Sequence, residues 1–285
     1  AWSSAKQAYL VTIPGNQKSE VQIALSSESA EPSAIHLIID AKPFAESTVI
    51  LDHKGRAILG ENVEIIVGDE ARLTVISIQD WDDTSVHAST QMARLGRNSK
   101  LKHLVVSLGG KVVRVASSTE FTQPGGDTEM LGLYFADAGQ YLENRLYVDH
   151  AVPNCKSRVT YKGALQGDKA HTVWVGDVLI RMAAEGTDTY ELNRNLLLTD
   201  GARADSVPNL EIETGKIEGA GHASASGRFD DEQLFYLQAR GIPELEARRL
   251  VVRGFLNEII QQIDNEQIRE RLSNSIESEL ARSGS

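Results

Sequence analysis

The chain has one cysteine, Cys155, in 285 residues. A lone thiol forms no internal disulfide and cannot alone complete a tetrahedral thiolate site, so the expected compartment is a reducing one, the cytoplasm. Aromatic residues are scarce, at 6%. Apolar runs are short, and none reaches the roughly 18 residues that read as a membrane span. No basic, apolar, small-residue leader marks the chain for secretion, so no membrane association is expected. Lys and Arg number 29 against 40 Asp and Glu, for a formal net charge of -11. A nucleic-acid surface wants the opposite balance on at least one face, and no basic cluster supplies it.

Catalytic signatures are missing too. There is no GxxxxGK[ST], so no ATP site of the P-loop kind, and no HExxH, GxSxG or CxxC. A glycosidase-like carboxylate pair stays open only because acidic residues are abundant. Hydrophobic residues at 41% and charged residues at 24% are ordinary for a folded globular chain.

What is present, from about Val63 to Ser226, is a succession of short β-branched or alternating runs: VEIIV, RLTVISI, LKHLVVSL, KVVRVAS, MLGLYF, RLYVDH, SRVTYKG, HTVWVG, VLIRM and NLEIE. Each reads as a strand. Glycine-bearing pairs at Gly68-Asp69, Gly109-Gly110, Gly125-Gly126, Gly167-Asp168, Gly176-Asp177 and Asp200-Gly201, with Gly215, read as turns between them. No helix-period segment interrupts the region, which argues against crossover helices. A sandwich, a barrel and a solenoid remain, and no repeat of strict period decides among them. Residues 1–60 read as a looser lead-in, with YLVTI and HLIID as strands and SSESAEPS as a surface loop.

The character changes at residue 230. Asp230 with Gln233 has capping-box spacing, LFYLQAR reads as a short helix, and Gly241 is its terminator. Pro243 opens a second helix carrying Leu245, Val252, Phe255, Leu256, Ile259, Ile260 and Ile263. Asp264 with Gln267 repeats the capping spacing before a third helix, on which Ile268, Leu272, Ile276 and Leu280 form one apolar stripe. That stripe must be covered, either by the rest of the chain or by a partner.

Three groups of residues carry candidate chemistry. His222, in the small-residue strand GHASASG, is accessible and could ligate iron or zinc. Asp149-His150 stands near Cys155, whose neighbour Lys156 could lower a thiol pKa. Tyr134, Tyr141, Tyr147, Tyr161 and Trp174 could form an aromatic surface, or simply fill the sheet.

HASASGRFDDEQLFYLQARGI, with the preceding LLLTDGARADSVPNLEI and DHAVPNCKSRVTYKGAL, resembles the SufB/SufD family of iron-sulfur cluster assembly proteins over about residues 60 to 265. The resemblance implies a mainly β fold: a right-handed parallel β-helix over 61–229, entered by 1–60 and followed by a helical domain over 230–285. It implies a non-catalytic scaffold subunit. SufB-type chains carry an essential cysteine where this chain has Arg194, and a glutamate after the histidine where this chain has Ala223. The chain is therefore most like SufD, and His222 matches the SufD histidine that helps hold the nascent cluster or its iron.

Implied partners are a SufB-like subunit, which would share a transient iron or Fe-S cluster, and a SufC-like ATPase, with reduced flavin left open. Asp230, Gln233, Phe235, Tyr236, Arg240, Gly241 and Phe255 would face SufC. Family members have a further helical region before the β-helix, and this chain is expected to start within or just after it. Two rival readings are a homodimeric scaffold and a β-helix enzyme acting on polysaccharide.

Overall fold

A computed structural model describes residues 3–228 and 231–282. Fourteen strands come first: β1 (Ala8–Ile13), β2 (Lys18–Ala41), β3 (Glu46–Val67), β4 (Arg72–Trp81), β5 (Val86–Leu95), β6 (Lys100–Ser107), β7 (Val112–Phe121), β8 (Asp127–Ala136), β9 (Tyr141–His150), β10 (Lys156–Leu165), β11 (His171–Ile180), β12 (Asp188–Leu197), β13 (Arg203–Ile212) and β14 (Gly219–Arg228). Three helices follow: α1 (Asp231–Gln238), α2 (Glu244–Ile260) and α3 (Glu266–Arg282). The strands pair in parallel in the order β13-β11-β9-β7-β5-β3-β4-β6-β8-β10-β12-β14, a parallel β-solenoid with two walls.

The long strand β3 belongs to both walls. Its first half, Glu46 to Gly55, pairs with β4, and its second half, from Ile58, pairs with β5. The corner is at Gly55, with φ +83°, where a Cβ would stand 2.2 Å from the Ser27 carbonyl oxygen, so glycine is required by both conformation and space. Strand β2 pairs along β3 through both halves, with a register shift between Glu28 and Pro32. The SSESAEPS segment is thus exposed strand rather than loop, and the solenoid is under way well before residue 60.

Turn length explains why no fixed period is visible in the sequence. Arg94 meets Glu120 after 26 residues, whereas Ser157 meets Thr189 after 32. Equivalent positions are nonetheless stacked: Lys18, Glu46, Arg72, Lys100, Asp127, Lys156 and Asp188 are successive register partners.

The two walls face each other over an apolar interior that includes Ile39, Val49, Leu51, Val63, Ile65, Val75, Leu95, Phe121, Leu142 and Val148. The even-numbered wall is buried on its outer side as well. There Ile50, Ile76, Ile78, Leu104, Val106, Leu131, Leu133 and Phe135 meet Val252, Leu256, Ile259, Ile260 and the α3 residues Ile268, Leu272, Ile276 and Leu280. Double burial makes RLTVISI and LKHLVVSL continuous apolar runs, while the singly buried β5, VHASTQMARL, alternates strictly. Each Leu or Ile so buried contributes about 1.5–3 kcal/mol.

The α3 stripe is therefore covered by the rest of the chain, which decides between the two readings the sequence left open. The α3 cap also differs. Asn265 Oδ1 accepts the Ile268 N–H at 3.0 Å, so Asn265 rather than Asp264 fills the N-cap. Pro243 sits one position earlier than expected, as the N-cap of α2. HTVWVG and VLIRM form one strand, β11, with Gly176-Asp177 inside it rather than at a turn. Gly241 does terminate α1, with φ +86° and its N–H bonded to the Gln238 carbonyl at 2.9 Å. Asp230 lies outside the described residues, as does the side chain of Gln233.

Candidate functional site

Among the described residues β13 pairs only with β11 and β14 only with β12, so the C-terminal end of the solenoid is an open rung. His222 is on that rung. β14 pairs in register with β12, and residue alternation decides which way each side chain faces: Ala220 packs on the interior and Ser226 Oγ accepts a bond from Asn195 Nδ2 at 3.1 Å. His222 shares their parity and so faces inward, yet it is exposed, with no further rung above it among the described residues.

The register partner of His222 is Glu191. Glu191 is 1% exposed, and neither carboxyl oxygen has a hydrogen-bond partner among the described residues. Burial, with a further contribution from Asp177, pushes its pKa up to about 8. The carboxyl and the Trp174 ring both approach Gly176, and the indole N–H also lacks a partner among the described residues. Gly176 makes the room: a Cβ there would stand 2.7 Å from Glu191 Oε1 and 2.5 Å from the Trp174 ring. That is why a glycine occurs in mid-strand. Beside this pair, Asn193 and Asn195 bond to each other, to Tyr134 and to Ser206, and Asn195 bonds to Ser226, a polar network one rung from the open end. Glu191 was missed in the sequence because DTYELNRNLL lacks a β-branched run. Its only signal is polar alternation.

A second buried polar cluster sits far from the open end. His53 Nε2 donates to Glu61 Oε1 at 2.9 Å, and His53 Nδ1 donates to the Ile78 carbonyl at 2.9 Å. Glu61 Oε2 accepts from Ser89 Oγ at 2.6 Å and stands 3.4 Å from His87 Nε2. The three ligand-type side chains His53, Glu61 and His87 place one donor atom each within 4.8 Å of one another, a spacing compatible with a metal. The hydrogen bonds argue otherwise. Trp81 donates its indole N–H into His87 Nδ1 at 3.1 Å, which leaves the His87 proton on Nε2, the atom facing the carboxylate, and a protonated nitrogen cannot ligate.

His53, by contrast, has acceptors at both nitrogens and is held as an imidazolium. Burial alone would lower its pKa, but the Glu61 carboxylate and the Ile78 carbonyl outweigh burial and raise it. Burial likewise opposes ionisation of Glu61, yet the two histidines hold its pKa well below the usual range. Burial lowers the His87 pKa and keeps that ring neutral. The cluster is a buried His53–Glu61 ion pair, with His87 Nε2 facing the carboxylate without a hydrogen bond of its own among the described residues.

The remaining candidates are dispersed. Cys155 is buried, its thiol hydrogen faces the Pro153 carbonyl, and burial raises its pKa, the opposite of an activated thiol. Asp149 is bridged to Arg181 at 2.7 Å while His150 turns inward to Ser157, so these two and Cys155 do not form one site. Tyr134, Tyr161 and Trp174 are core residues, whereas Tyr147 is exposed and Tyr141 stacks edge-on with His171. Arg194 is exposed, on the parity opposite to Glu191, and Ala223 faces out beside His222.

Among the helical residues, Phe235 is 72% and Tyr236 55% exposed, with the Arg240 guanidinium 4.4 Å from the Tyr236 ring centroid. Phe255 is engaged within the chain, its ring 4.7 Å beneath the ammonium of Lys162 on β10. Among the described residues no helix is long and apolar enough to cross a membrane.

The family description "SUF system FeS cluster assembly, SufBD core domain" matches residues 23–255, a range that takes in both the solenoid and the open rung. The chain belongs to the SufBD family. An "iron-sulfur cluster assembly SufBD family protein" of Mycobacterium tuberculosis (Rv1462) is 56% identical over 289 residues, covering 98% of this chain and 73% of the relative. A protein of the same description from Synechocystis is 28% identical, covering 73% of this chain and 46% of the relative. "Protein ABCI7, chloroplastic" of Arabidopsis thaliana is 29% identical, covering 75% and 45%. The SufBD match begins inside β2, so most of β2 and all of β3 fall within the matched range along with the later rungs.

Proposed function

We propose that this SufBD chain is the SufD-like scaffold subunit, which pairs through its open rung with a SufB-like chain and presents His222 to the iron or nascent cluster at that interface. The observation that carries the reading is His222 itself: an imidazole on the last rung, facing the interior and open to an approaching partner. The unpaired edges of β13 and β14 support it, because each offers a row of backbone donors and acceptors for a second chain to complete. A thiolate from SufB and an imidazole from this chain would then meet, dividing sulfur transfer from iron capture. One histidine cannot hold iron alone, so the isolated chain binds it weakly at best.

The exposed aromatic pair Phe235 and Tyr236 on α1, with Arg240, forms the face for a SufC-like ATPase. Phe255 contributes by seating α2 on β10. ATP-driven closure of that partner would pull on α1, which follows directly on the His222 strand.

Substituting His222→Ala in the complex of this chain with SufB-like and SufC-like partners is expected to abolish or sharply reduce cluster formation without unfolding the protein. Normal cluster yield would overturn the assignment. The homodimeric rival is separated by mixing the chain with SufB and measuring mass by light scattering, since persistent homodimer without heterocomplex favours it. Against a polysaccharide-active enzyme, Glu46, Asp127, Glu129 and Asp188 along the stacked face are each bridged to a lysine or arginine, which neutralises the carboxylates such an enzyme needs.

A further inference from the structure

Glu191 lies one rung beneath His222, in register with it and on the same inward parity. Stacked rungs are about 4.8 Å apart, so a carboxylate and an imidazole at partnered positions can share one ion between them. Three further observations separate Glu191 from a packing residue. It is 1% exposed and both its oxygens lack partners among the described residues. Space is kept for it by Gly176, where any side chain would strike Oε1. On its open side the register places only the last rung, where the side chain above it is His222.

A buried carboxyl without donors is costly unless it is neutral or faces a cation. Burial does favour its neutral form. Glu61, equally buried, has donors on both oxygens and shows that this solenoid can furnish a carboxylate when structure alone is at stake.

We propose that Glu191 and His222 form a two-ligand seat for divalent iron at the open end of the solenoid, with Glu191 supplying the oxygen and His222 the nitrogen. Carboxylate with imidazole is a donor set suited to ferrous iron, and the remaining positions face outward, where partner ligands complete the shell. This rests on the reading of His222 as the iron-holding residue and adds the second ligand from the same chain.

The test is anaerobic titration of the whole chain with Fe2+, and with Co2+ as its spectroscopic substitute, for wild type, Glu191→Gln and His222→Ala. Circular dichroism establishes that each variant is folded. Both substitutions are expected to weaken binding by about tenfold or more and to change the Co2+ absorption bands. If His222→Ala weakens binding and Glu191→Gln does not, the two-ligand seat is overturned while the role of His222 stands. Loss with Glu191→Gln alone overturns the pairing, loss with neither overturns both, and no binding by wild type even at millimolar metal overturns the two-ligand seat. Should Glu191→Gln not fold, Glu191→Asp withdraws the carboxylate by one methylene and is expected to weaken binding as well. Wild-type affinity in that variant overturns the proposal.

Discussion

Two glutamates, Glu61 where β3 forms the first turns and Glu191 one rung from the open end, are each 1% exposed and are furnished in opposite ways. Glu61 accepts from His53 and Ser89, and its pKa is driven down. Glu191 accepts from nothing among the described residues, and its pKa is driven up to about 8. The same wall-to-wall geometry holds both. A buried carboxylate that serves the fold is surrounded by donors. One left bare in register with an exposed histidine is where the proposed iron seat would be completed from outside.

The comparison breaks most visibly under one substitution made twice. Glu61→Gln removes the counter-charge of a buried imidazolium and is expected to cost about 3–5 kcal/mol, read from denaturant unfolding. Its pH course follows from the pair. The Glu61 contribution is present above the ordinary carboxylate value of 4.5 and lost as pH falls toward its depressed folded value. The His53 contribution is present below 6.5 and lost as pH rises through its raised folded value.

Glu191→Gln is expected to act with the opposite sign. Its folded pKa lies above the unfolded value, so its contribution is intact below 4.5 and lost as pH rises toward about 8. Measured at pH 8.5, the glutamine variant is expected to be more stable than wild type by on the order of 3 kcal/mol, and nearly equal to it at pH 5. A destabilised Glu191→Gln at alkaline pH would remove the distinction between the two sites.

A smaller effect separates both clusters from ordinary helix stability. Asn265→Ala removes the α3 cap and is expected to cost about 1 kcal/mol without altering metal affinity, measured by thermal unfolding and Co2+ titration. A metal effect there would mean that the open end is coupled to the helices.

Much of the fold was legible in the sequence, though unevenly. The doubly buried strands of the even-numbered wall announced themselves as apolar runs, and the break at residue 230 was plain from the change to helical period. The alternating β5 and the polar β12 were not read as strands, because their inward positions carry His87, Ser89 and Gln91, or Glu191, Asn193 and Asn195, instead of aliphatic residues. Turn lengths that vary hid the repeat. Without the rung register, Glu191 and His222 are simply 31 residues apart, as are the hydrogen-bonded Asn195 and Ser226 on the same two strands. His222 was legible only because its surrounding motif resembles a family. The His53–Glu61–His87 cluster, assembled from β3 and β5, had no local signature at all.

The most direct measurement is the iron and acid-labile sulfide carried by the complex of this chain with the SufB-like and SufC-like partners proposed for it, wild type against His222→Ala, with thermal unfolding recorded alongside. An open rung that holds the iron predicts that most of the iron and sulfide is lost while the unfolding midpoint stays in place. Wild-type iron and sulfide in a folded His222→Ala complex would contradict it.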